Sequence, residues 1–432
     1  MRKVAFYTLG CKVNQYETEA MEELFEKRGY EIVDSNEYAD IYVINTCTVT
    51  NLGDRKSRQF IRRAKKANVN SIVVAVGCYS QVAPEEVEAI EGVDIVIGTT
   101  DRNRIVDLCE EARDKNKKIN VVKSIKGHKE FENLNIADLK SKTRAYIKIQ
   151  EGCNQFCSYC IIPYARGPIR SRDLEDILIE SKKLSNAGFK EVILTGIHVT
   201  SYGKDLHGLT LIDVIEEISR IEGIERIRLS SIEPTFIDEE FMLRAVNSKK
   251  LCGHFHLSLQ SGSDTVLKRM NRKYTTSQYK DIVNLIRKHM PDAGITTDVI
   301  VGFPGETDEE FEETYNFVRD IHFSRIHVFK YSPRKGTPAS RFKNQIHGNI
   351  KHERSERLIL LGEELMRTFN ENYFGKTLPV LFEEGEDGFM EGYTTNYIRV
   401  KVQAEDEVRG KILPVKIIDN EKDILIGKIE EL

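Results

Sequence analysis

The sequence predicts an α/β protein in three parts: an N-terminal open parallel α/β sheet, a central partial (β/α)6 barrel and a small C-terminal β-barrel. Three observations predict it. Short apolar runs alternate with helical patterns over residues 1–113, and the alternation resumes with six strand candidates between 144 and 346. From Gly375 to the end, short alternating strands follow one another as in a small closed barrel. With 432 residues, 40% hydrophobic and 31% charged, the chain has room for two or three globular domains. No run of 18 apolar residues occurs, so no transmembrane helix is expected. The start, Met1-Arg-Lys-Val-Ala-Phe-Tyr, enters a strand pattern and lacks a signal-peptide core, so a cytoplasmic protein is expected. A net charge of −4 leaves any nucleic-acid binding to local patches.

In the first part, Val4–Leu9, Ile41–Ile44, Ile72–Val76 and Asp94–Gly98 are the strand candidates. Helices are expected over Gln15–Arg28 (Ala20, Met21, Leu24 and Phe25 on one face), Asp54–Ala67, from Pro84, and over Asp101–Ala112. Cys11, Cys47 and Cys78 each follow one of the first three strands, 36 and 31 residues apart, about one βαβ unit each. This puts three thiols on the rim where open α/β sheets bind ligands; the plainer explanation, small buried residues, accounts for one such placement more readily than for three. Cys109 and Cys252 have no such company and read as packing residues. The helix after Cys47 carries seven basic residues against one acid between Asp54 and Lys66. Arg55, Arg58 and Arg62 share a face there, able to track phosphates or simply to be solvated.

Residues 114–143, including Lys115–Lys118 and Ser141–Arg144, read as a polar linker. In the 144–346 barrel, strands are expected at 145–150, 192–195, 227–230, 255–259, 297–301 and 326–330, with helices such as Asp173–Ala187 and Ser277–His289 between them. Polar clusters follow successive strands: Thr195–His198, Ser231–Pro234, Gln260–Ser263 and Gly302–Glu306. Each alone is ordinary turn chemistry; their recurrence favours a ring of cofactor contacts. A helical connector spans 347–374, with Leu358, Leu361, Leu365 and Phe369 on one side. The final barrel, 375–432, has strands at Leu378–Phe382, Tyr397–Val402, Ile412–Ile418 and Ile424–Ile429.

Chemistry concentrates after the first barrel strand. Cys153, Cys157 and Cys160 put three thiols in eight residues, spaced C-x3-C-x2-C. Three thiolates hold a [4Fe–4S] cube and leave one iron open; tetrahedral zinc, the alternative, wants a fourth ligand, and His128 and His198 are distant in sequence. Eight cysteines in a chain of this length point to metal or catalysis, not to a disulfide scaffold.

This spacing, with an aromatic at Tyr159, resembles the cluster loop of radical S-adenosylmethionine (SAM) enzymes. With Gly10-Cys-Lys-Val-Asn-Gln-Tyr-Glu17 and Asn45-Thr-Cys-Thr-Val-Thr50, essentially the whole chain resembles the radical-SAM methylthiotransferases, most closely the branch acting on N6-threonylcarbamoyladenosine in tRNA. Related branches act on isopentenyladenosine in tRNA or on an aspartate of a ribosomal protein. The resemblance implies two [4Fe–4S] clusters, the SAM-cleaving one on Cys153, Cys157 and Cys160 and an auxiliary one on Cys11, Cys47 and Cys78. One SAM would serve as methyl donor and a second as radical source, because an unactivated aromatic C–H offers no acidic proton to a base. It places Tyr159 near the adenine of SAM, Thr195 and Gly196 in the loop facing the SAM amino group (without the commoner Gly-Gly-Glu), and Gly302 and Glu306 near the adenine. Glu233, Ser258 and Gln260 lie at strand ends where ribose or carboxylate contacts are expected. Arg166, Arg170 and Arg172 are expected to meet the SAM carboxylate or an RNA phosphate. The implied partners are tRNA, an external one-electron donor and a sulfur donor, with no membrane and no obligate protein partner.

One feature of the composition opposes tRNA. Residues 375–432 hold 8 Lys and Arg against 13 Asp and Glu, which suits a basic protein substrate better than phosphate. Arg399 and Lys401, with Arg409, Lys411 and Tyr397, are the residues expected to make a local basic face. A non-enzymatic iron–sulfur carrier would need neither SAM nor the polar rim of the central barrel.

Overall fold

The computed structural model describes residues 1–115, 117–134, 143–206 and 208–430. Strands β1 (Lys3–Thr8), β2 (Glu31–Val33), β3 (Ile41–Thr46), β4 (Ile72–Gly77), β5 (Ile95–Ile97) and β6 (Ile119–Asn120) form one parallel sheet in the order β2-β1-β3-β4-β5-β6. The chain reverses direction across the sheet between β1 and β3, so the carboxyl ends of these two strands frame a topological switch point. Helices α1 (Lys12–Lys27), α2 (Asn51–Ala67) and the short α3 (Cys78–Val82) start where β1, β3 and β4 end. Every residue of β3 and β4 is buried, as a doubly covered parallel sheet requires.

Two of these strands escape the periodicity. β2 is a half-buried edge of three residues, and β6 has only two. β6 lies inside the expected linker, and so do the buried Ile125 and Leu134 and the ion pair from Glu132 to Arg102. This stretch is therefore packed onto the first sheet, and not a free polar tether. Residues 116 and 135–142 of that linker lie outside the described residues.

The central region comprises β7 (Arg144–Glu151), β8 (Arg170–Ser171), β9 (Glu191–Gly196), β10 (Arg226–Leu229), β11 (His254–His256), β12 (Gly294–Val301) and β13 (Arg325–Lys330). Six of these run parallel in chain order, while β8 pairs antiparallel with β7. The ladder order is β10-β9-β7-β8 and β11-β12-β13, and isolated bridges at Ile227–Leu251 and Ile232–Leu257 join the two into one partial barrel. Alternation is strict. Ala145, Ile147, Ile149, Val192, Leu194, Ile227, Leu229, Phe255, Ile295 and Val299 pack outward against the helices in one core. Their neighbours, among them Lys148, Gln150, Glu191, Arg228, His256 and Asp298, turn to the lumen. α1 packs against β7 and β9 and so closes part of the open flank.

The long helix Gly348–Glu371 lies on β13 through the buried Leu358, Leu361 and Leu365, and leads into β14 (Thr377–Glu386), β15 (Phe389–Tyr393), β16 (Arg399–Gln403), β17 (Ile412–Glu421) and β18 (Ile424–Ile429). These close into a five-stranded barrel ordered β14-β15-β16-β18-β17. β15 is a strand that the pattern did not announce, and β16 starts at Arg399, not at Tyr397, because Tyr397 adopts a left-handed φ of 69° in the preceding turn.

Candidate active site

The C-x3-C-x2-C loop leaves β7 through Gly152, whose φ is +74°; a Cβ there would lie 1.9 Å from the Pro168 carbonyl oxygen. Phe156, at φ 48°, turns the chain between Cys153 and Cys157. Ser158 pins the loop: its N–H donates to the Met270 carbonyl (2.9 Å), its hydroxyl donates to the Arg269 carbonyl (2.8 Å), and its own carbonyl accepts from Ala339 (2.8 Å). N–H groups point at the sulfurs, from Gln155 to Cys153 at 3.5 Å and from Arg272 Nη1 to Cys157 at 3.4 Å. Burial raises the Cys153 thiol to about 11 and the Cys160 thiol to about 12. Such thiols stay protonated at neutral pH until a metal displaces the proton.

The second set gathers at the switch point. Gly10 has φ +105°, and a Cβ on it would sit 2.9 Å from both Cβ and Sγ of Cys47, so the loop carrying Cys11 passes directly beside Cys47. Cys78 opens α3 on the neighbouring strand and is buried; desolvation lifts its thiol to about 12, against the nearby Arg166. Asn14 ties the ends of β1 and β3 to Arg166. Its Nδ2 donates to the carbonyls of Leu9 (2.7 Å) and Thr46 (3.1 Å), and its Oδ1 accepts from Arg166 (2.6 Å).

Arg166 corrects the expected role of the arginines after the cluster loop. It is fully buried and donates Nε to Cys78 Sγ at 3.1 Å, while Nη1 pairs with Glu17 (2.5 Å) and Glu151 (3.1 Å). Arg170 donates to the Arg166 and Pro168 carbonyls (3.0 Å each), and Arg172 pairs with Glu180 at 2.5 Å. None of the three is free for an RNA phosphate. They are interior struts. Arg166 belongs to a buried network with Arg102, Lys148, Glu17 and Glu151. Burial alone would raise both acids, but Arg102, Arg166 and Lys148 hold Glu17 far below the carboxylate range, and Arg166 and Lys148 hold Glu151 at about 2. A second strut, Arg334, reaches from the loop after β13 to Asp54 (2.5 Å), Thr48 (2.6 Å) and Asn51 (2.5 Å), just after Cys47.

Around the lumen mouth, Glu233 accepts from Arg272 at 2.9 Å, and His198 Nε2 stands 3.7 Å from the same carboxylate. Gln150 takes the His198 N–H at 2.7 Å. Gly196 runs so close to this strand that a Cβ would lie 2.8 Å from the Gln150 carbonyl, and Thr195 is buried beside it. Ser258 gives its carbonyl to Arg272 (3.1 Å), and Gln260 takes φ 68° where it bridges to Val299. Tyr159 packs with Val266, Met270, Phe303 and Tyr331. Glu306 is a further correction. Its Oε1 accepts from the Gly302 N–H (2.9 Å) and from Arg354 (2.6 Å), so it shapes the turn after β12.

Of the expected basic faces, Arg55 and Arg62 are exposed on α2, whereas Arg58 is held by the Tyr79 hydroxyl at 2.8 Å. Arg399 is tied to Glu391, Arg409 to Asp406, and the Lys401 ammonium lies 4.6 Å from the Phe389 ring centroid. The barrel face is therefore largely self-neutralised. Tyr397 is not part of it. It stacks on His254 (4.5 Å) and Tyr393 (4.9 Å) at the floor of the central barrel. Cys109 and Cys252 are buried packing residues, as expected. Arg272, Arg334, Asn14 and Glu17 escaped sequence reasoning, although the last two lie inside the quoted run after Cys11.

Among the described residues, no three His, Cys, Asp or Glu groups are drawn together closely enough to ring a single ion. Each trio of thiols, with N–H donors aimed at sulfur, instead suits the wider footprint of a thiolate-held cluster.

Comparison with known proteins agrees. The Radical SAM superfamily matches residues 147–318, and a family described as Uncharacterized protein family UPF0004 matches residues 3–98. The threonylcarbamoyladenosine tRNA methylthiotransferase MtaB of Bacillus subtilis is 47% identical over 97% of this chain and 94% of its own length. The chain belongs to the radical-SAM methylthiotransferases. Within this family, MtaB of Thermotoga maritima is 37% identical (99% of each chain), and so is the tRNA-2-methylthio-N(6)-dimethylallyladenosine synthase of Natranaerobius thermophilus (99% and 97%). The fold is also that of the radical SAM methyltransferase TsrM from Kitasatospora setae, with a TM-score of 0.61 at 15% identity over 78% of this chain and 77% of that one. As a radical-SAM methylthiotransferase the chain is an enzyme that uses a [4Fe–4S] cluster and SAM.

Proposed function

We propose that this methylthiotransferase converts N6-threonylcarbamoyladenosine in tRNA to its 2-methylthio derivative, with one SAM as methyl donor and one as radical source. The observation that carries the reading is the joining of the two cysteine sets. Arg166, from the short helix that follows the Cys153–Cys160 loop, donates to Cys78 of the other set, so one buried guanidinium ties the two sets together. The names of the relatives matched over nearly the whole chain supply the substrate.

Cys153, Cys157 and Cys160 would hold the SAM-cleaving cluster, and Cys11, Cys47 and Cys78 an auxiliary one. When bound, the clusters and SAM supply the electron, the hydrogen-abstracting power and the methylthio group. The protein does the rest. Arg272 and Gln155 direct N–H groups at the first thiol set and Arg166 at the second, which stabilises charge on sulfur. Thr195, Gly196, Glu233, Ser258 and Gln260 form the rim on which SAM would rest, with Tyr159 against its base. Residues 1–113 thus act as the auxiliary-cluster domain, 144–346 as the radical domain and 375–432 as the terminal barrel. Arg55 and Arg62, exposed on the helix that follows Cys47, are the cations best placed for tRNA phosphates, with Lys401 a lesser one. An external electron donor and a sulfur donor complete the cycle, and a cytoplasmic location fits both a tRNA substrate and the described residues, none of whose helices is long and apolar enough to cross a membrane.

Mass spectrometry of tRNA nucleosides from cells with and without the gene tests this. We expect loss of 2-methylthio-N6-threonylcarbamoyladenosine and accumulation of its unthiolated precursor. Loss of a methylthio-dimethylallyl nucleoside instead would favour the second group of relatives. An unchanged profile would turn the assignment to a ribosomal protein side chain, with the acidic terminal barrel as its recognition element.

A further inference from the structure

Just after β13, the segment 332–339 touches the loops of both cysteine sets. Near its start lies Arg334, which is buried. Its Nη1 donates to Asn51 Oδ1 (2.5 Å), and its Nη2 donates to Thr48 Oγ1 (2.6 Å) and Asp54 Oδ2 (2.5 Å). Asn51 answers from the other side: its backbone N–H donates to Ser332 Oγ (3.4 Å) and its Nδ2 to the Pro333 carbonyl (3.3 Å). Five hydrogen bonds thus fasten this segment to residues 48–54. Those residues fold back on the cysteine before them, since a Cβ on Gly53 would lie 3.1 Å from the Cys47 carbonyl oxygen. At the far end of the segment, the Ala339 N–H donates to the Ser158 carbonyl (2.8 Å), between Cys157 and Cys160.

Between these ends the segment has little freedom. The Thr337 N–H (3.1 Å) and hydroxyl (2.8 Å) both donate to the Arg334 carbonyl. Tyr331 and Ala339 are buried in one apolar cluster with Met270 and Phe303, against Tyr159. One short stretch of chain therefore reaches from the cluster loop 153–160 to the loop behind Cys47. Arg166 makes the other link, at Cys78. A guanidinium suits the task, because its planar fork fixes direction as well as distance to several acceptors, which a flexible ammonium does not.

We propose that Arg334 is a positioning residue: it sets the separation and orientation of the two clusters that the cysteine sets would hold. This rests on Cys11, Cys47 and Cys78 holding an auxiliary cluster. The substrate carbon has to meet a reactive group from each set, so an error in their spacing is not corrected by binding the RNA. A displacement of about 1 Å in such an arrangement costs about a hundredfold in rate.

The test uses the full chain with its clusters reconstituted, as wild type, R334M, R334K and the double variant R334M/D54N. The double variant leaves no unpaired buried carboxylate behind, so it guards against simple misfolding of R334M. With both clusters reduced, pulsed electron paramagnetic resonance reads the distance between them and needs no substrate. Wild type should give one narrow distance, R334M and the double variant a broadened or shifted one, and R334K an intermediate one. On a stem-loop RNA bearing N6-threonylcarbamoyladenosine, R334M and the double variant should lose about a hundredfold in kcat with KM unchanged. Formation of 5′-deoxyadenosine from SAM should continue in both. A wild-type distance in R334M and in the double variant would overturn the proposal and leave Arg334 a stabilising contact only. Loss of SAM cleavage in step with thiomethylation would overturn it too. Wild type holding a single cluster would instead overturn the auxiliary-cluster reading, and this proposal with it.

Discussion

In the first sheet, β3 and β4 are buried along their entire length, and both faces are apolar cores. In the central barrel, β7, β10 and β12 bury one apolar side against helices and turn Lys148, Arg228 and Asp298 to the lumen. Both are parallel α/β layers, yet they put polar groups in different places. The doubly covered sheet has room for chemistry only at its rim, where Cys11, Cys47 and Cys78 sit. The partial barrel has a covered outside and a polar inside, so its chemistry extends down through its interior. Where the two meet, the barrel's charges pair with those of the first region: Lys148 and Arg166 on one side, Glu17 and Arg102 on the other.

That contrast breaks most severely at the meeting point. Replacing Glu17 by Ala leaves Arg102, Arg166 and Lys148 buried around a single remaining internal acid, Glu151, besides the rim carboxylate of Glu132, and should destabilise the protein by about 3–5 kcal/mol in chemical unfolding. A loss below about 1 kcal/mol would mean that water reaches these charges. Next comes a test confined to the sheet. Ile95 is fully buried in β5, and Ile95→Ala should cost about 2–5 kcal/mol through lost burial and a residual cavity. Reductive SAM cleavage, measured well below the unfolding temperature, should survive, since this core lies away from the Cys153–Cys160 loop. Its disappearance would show that the two regions do not divide structure from chemistry as described.

The smallest effect tests the outer surface of the barrel. Glu310 caps the helix Asp308–Ile321 and pairs with Arg269 at 2.6 Å; hydrogen bonding from Arg269 brings its carboxyl down to about 2. A carboxyl depressed in the folded state stabilises fully above its ordinary value of 4.5 and loses this as pH falls through about 2. Glu310→Gln should therefore lower the urea midpoint at pH 6, and the gap from wild type should narrow steadily as pH falls from 4.5 toward 2. A pH-independent gap would assign the stabilisation to helix capping and not to charge.

Much of this was legible in the chain. A strand buried on both faces has to be apolar throughout, so Ile41–Ile44 and Ile72–Val76 could be found from composition alone, and the thiols behind them followed by counting. The C-x3-C-x2-C loop is a local device and needed nothing distant. β2, β6 and β15 were not legible, because two or three edge residues, or a strand broken by Gly392, carry too little periodicity to stand out.

The sequence by itself determined the three-part α/β architecture, the two cysteine trios at strand ends and the basic run along α2, because each depends on spacing within a segment. Only the tertiary structure decided what the buried charges do. Arg166 looked like a phosphate ligand and serves Cys78; Glu306 looked like a cofactor contact and serves Arg354; Tyr397 looked like an RNA-facing aromatic and floors the barrel. The reason is physical. A charge taken out of water must find its counter-charge wherever the fold supplies one, and Arg166 finds Glu17 from 149 residues away.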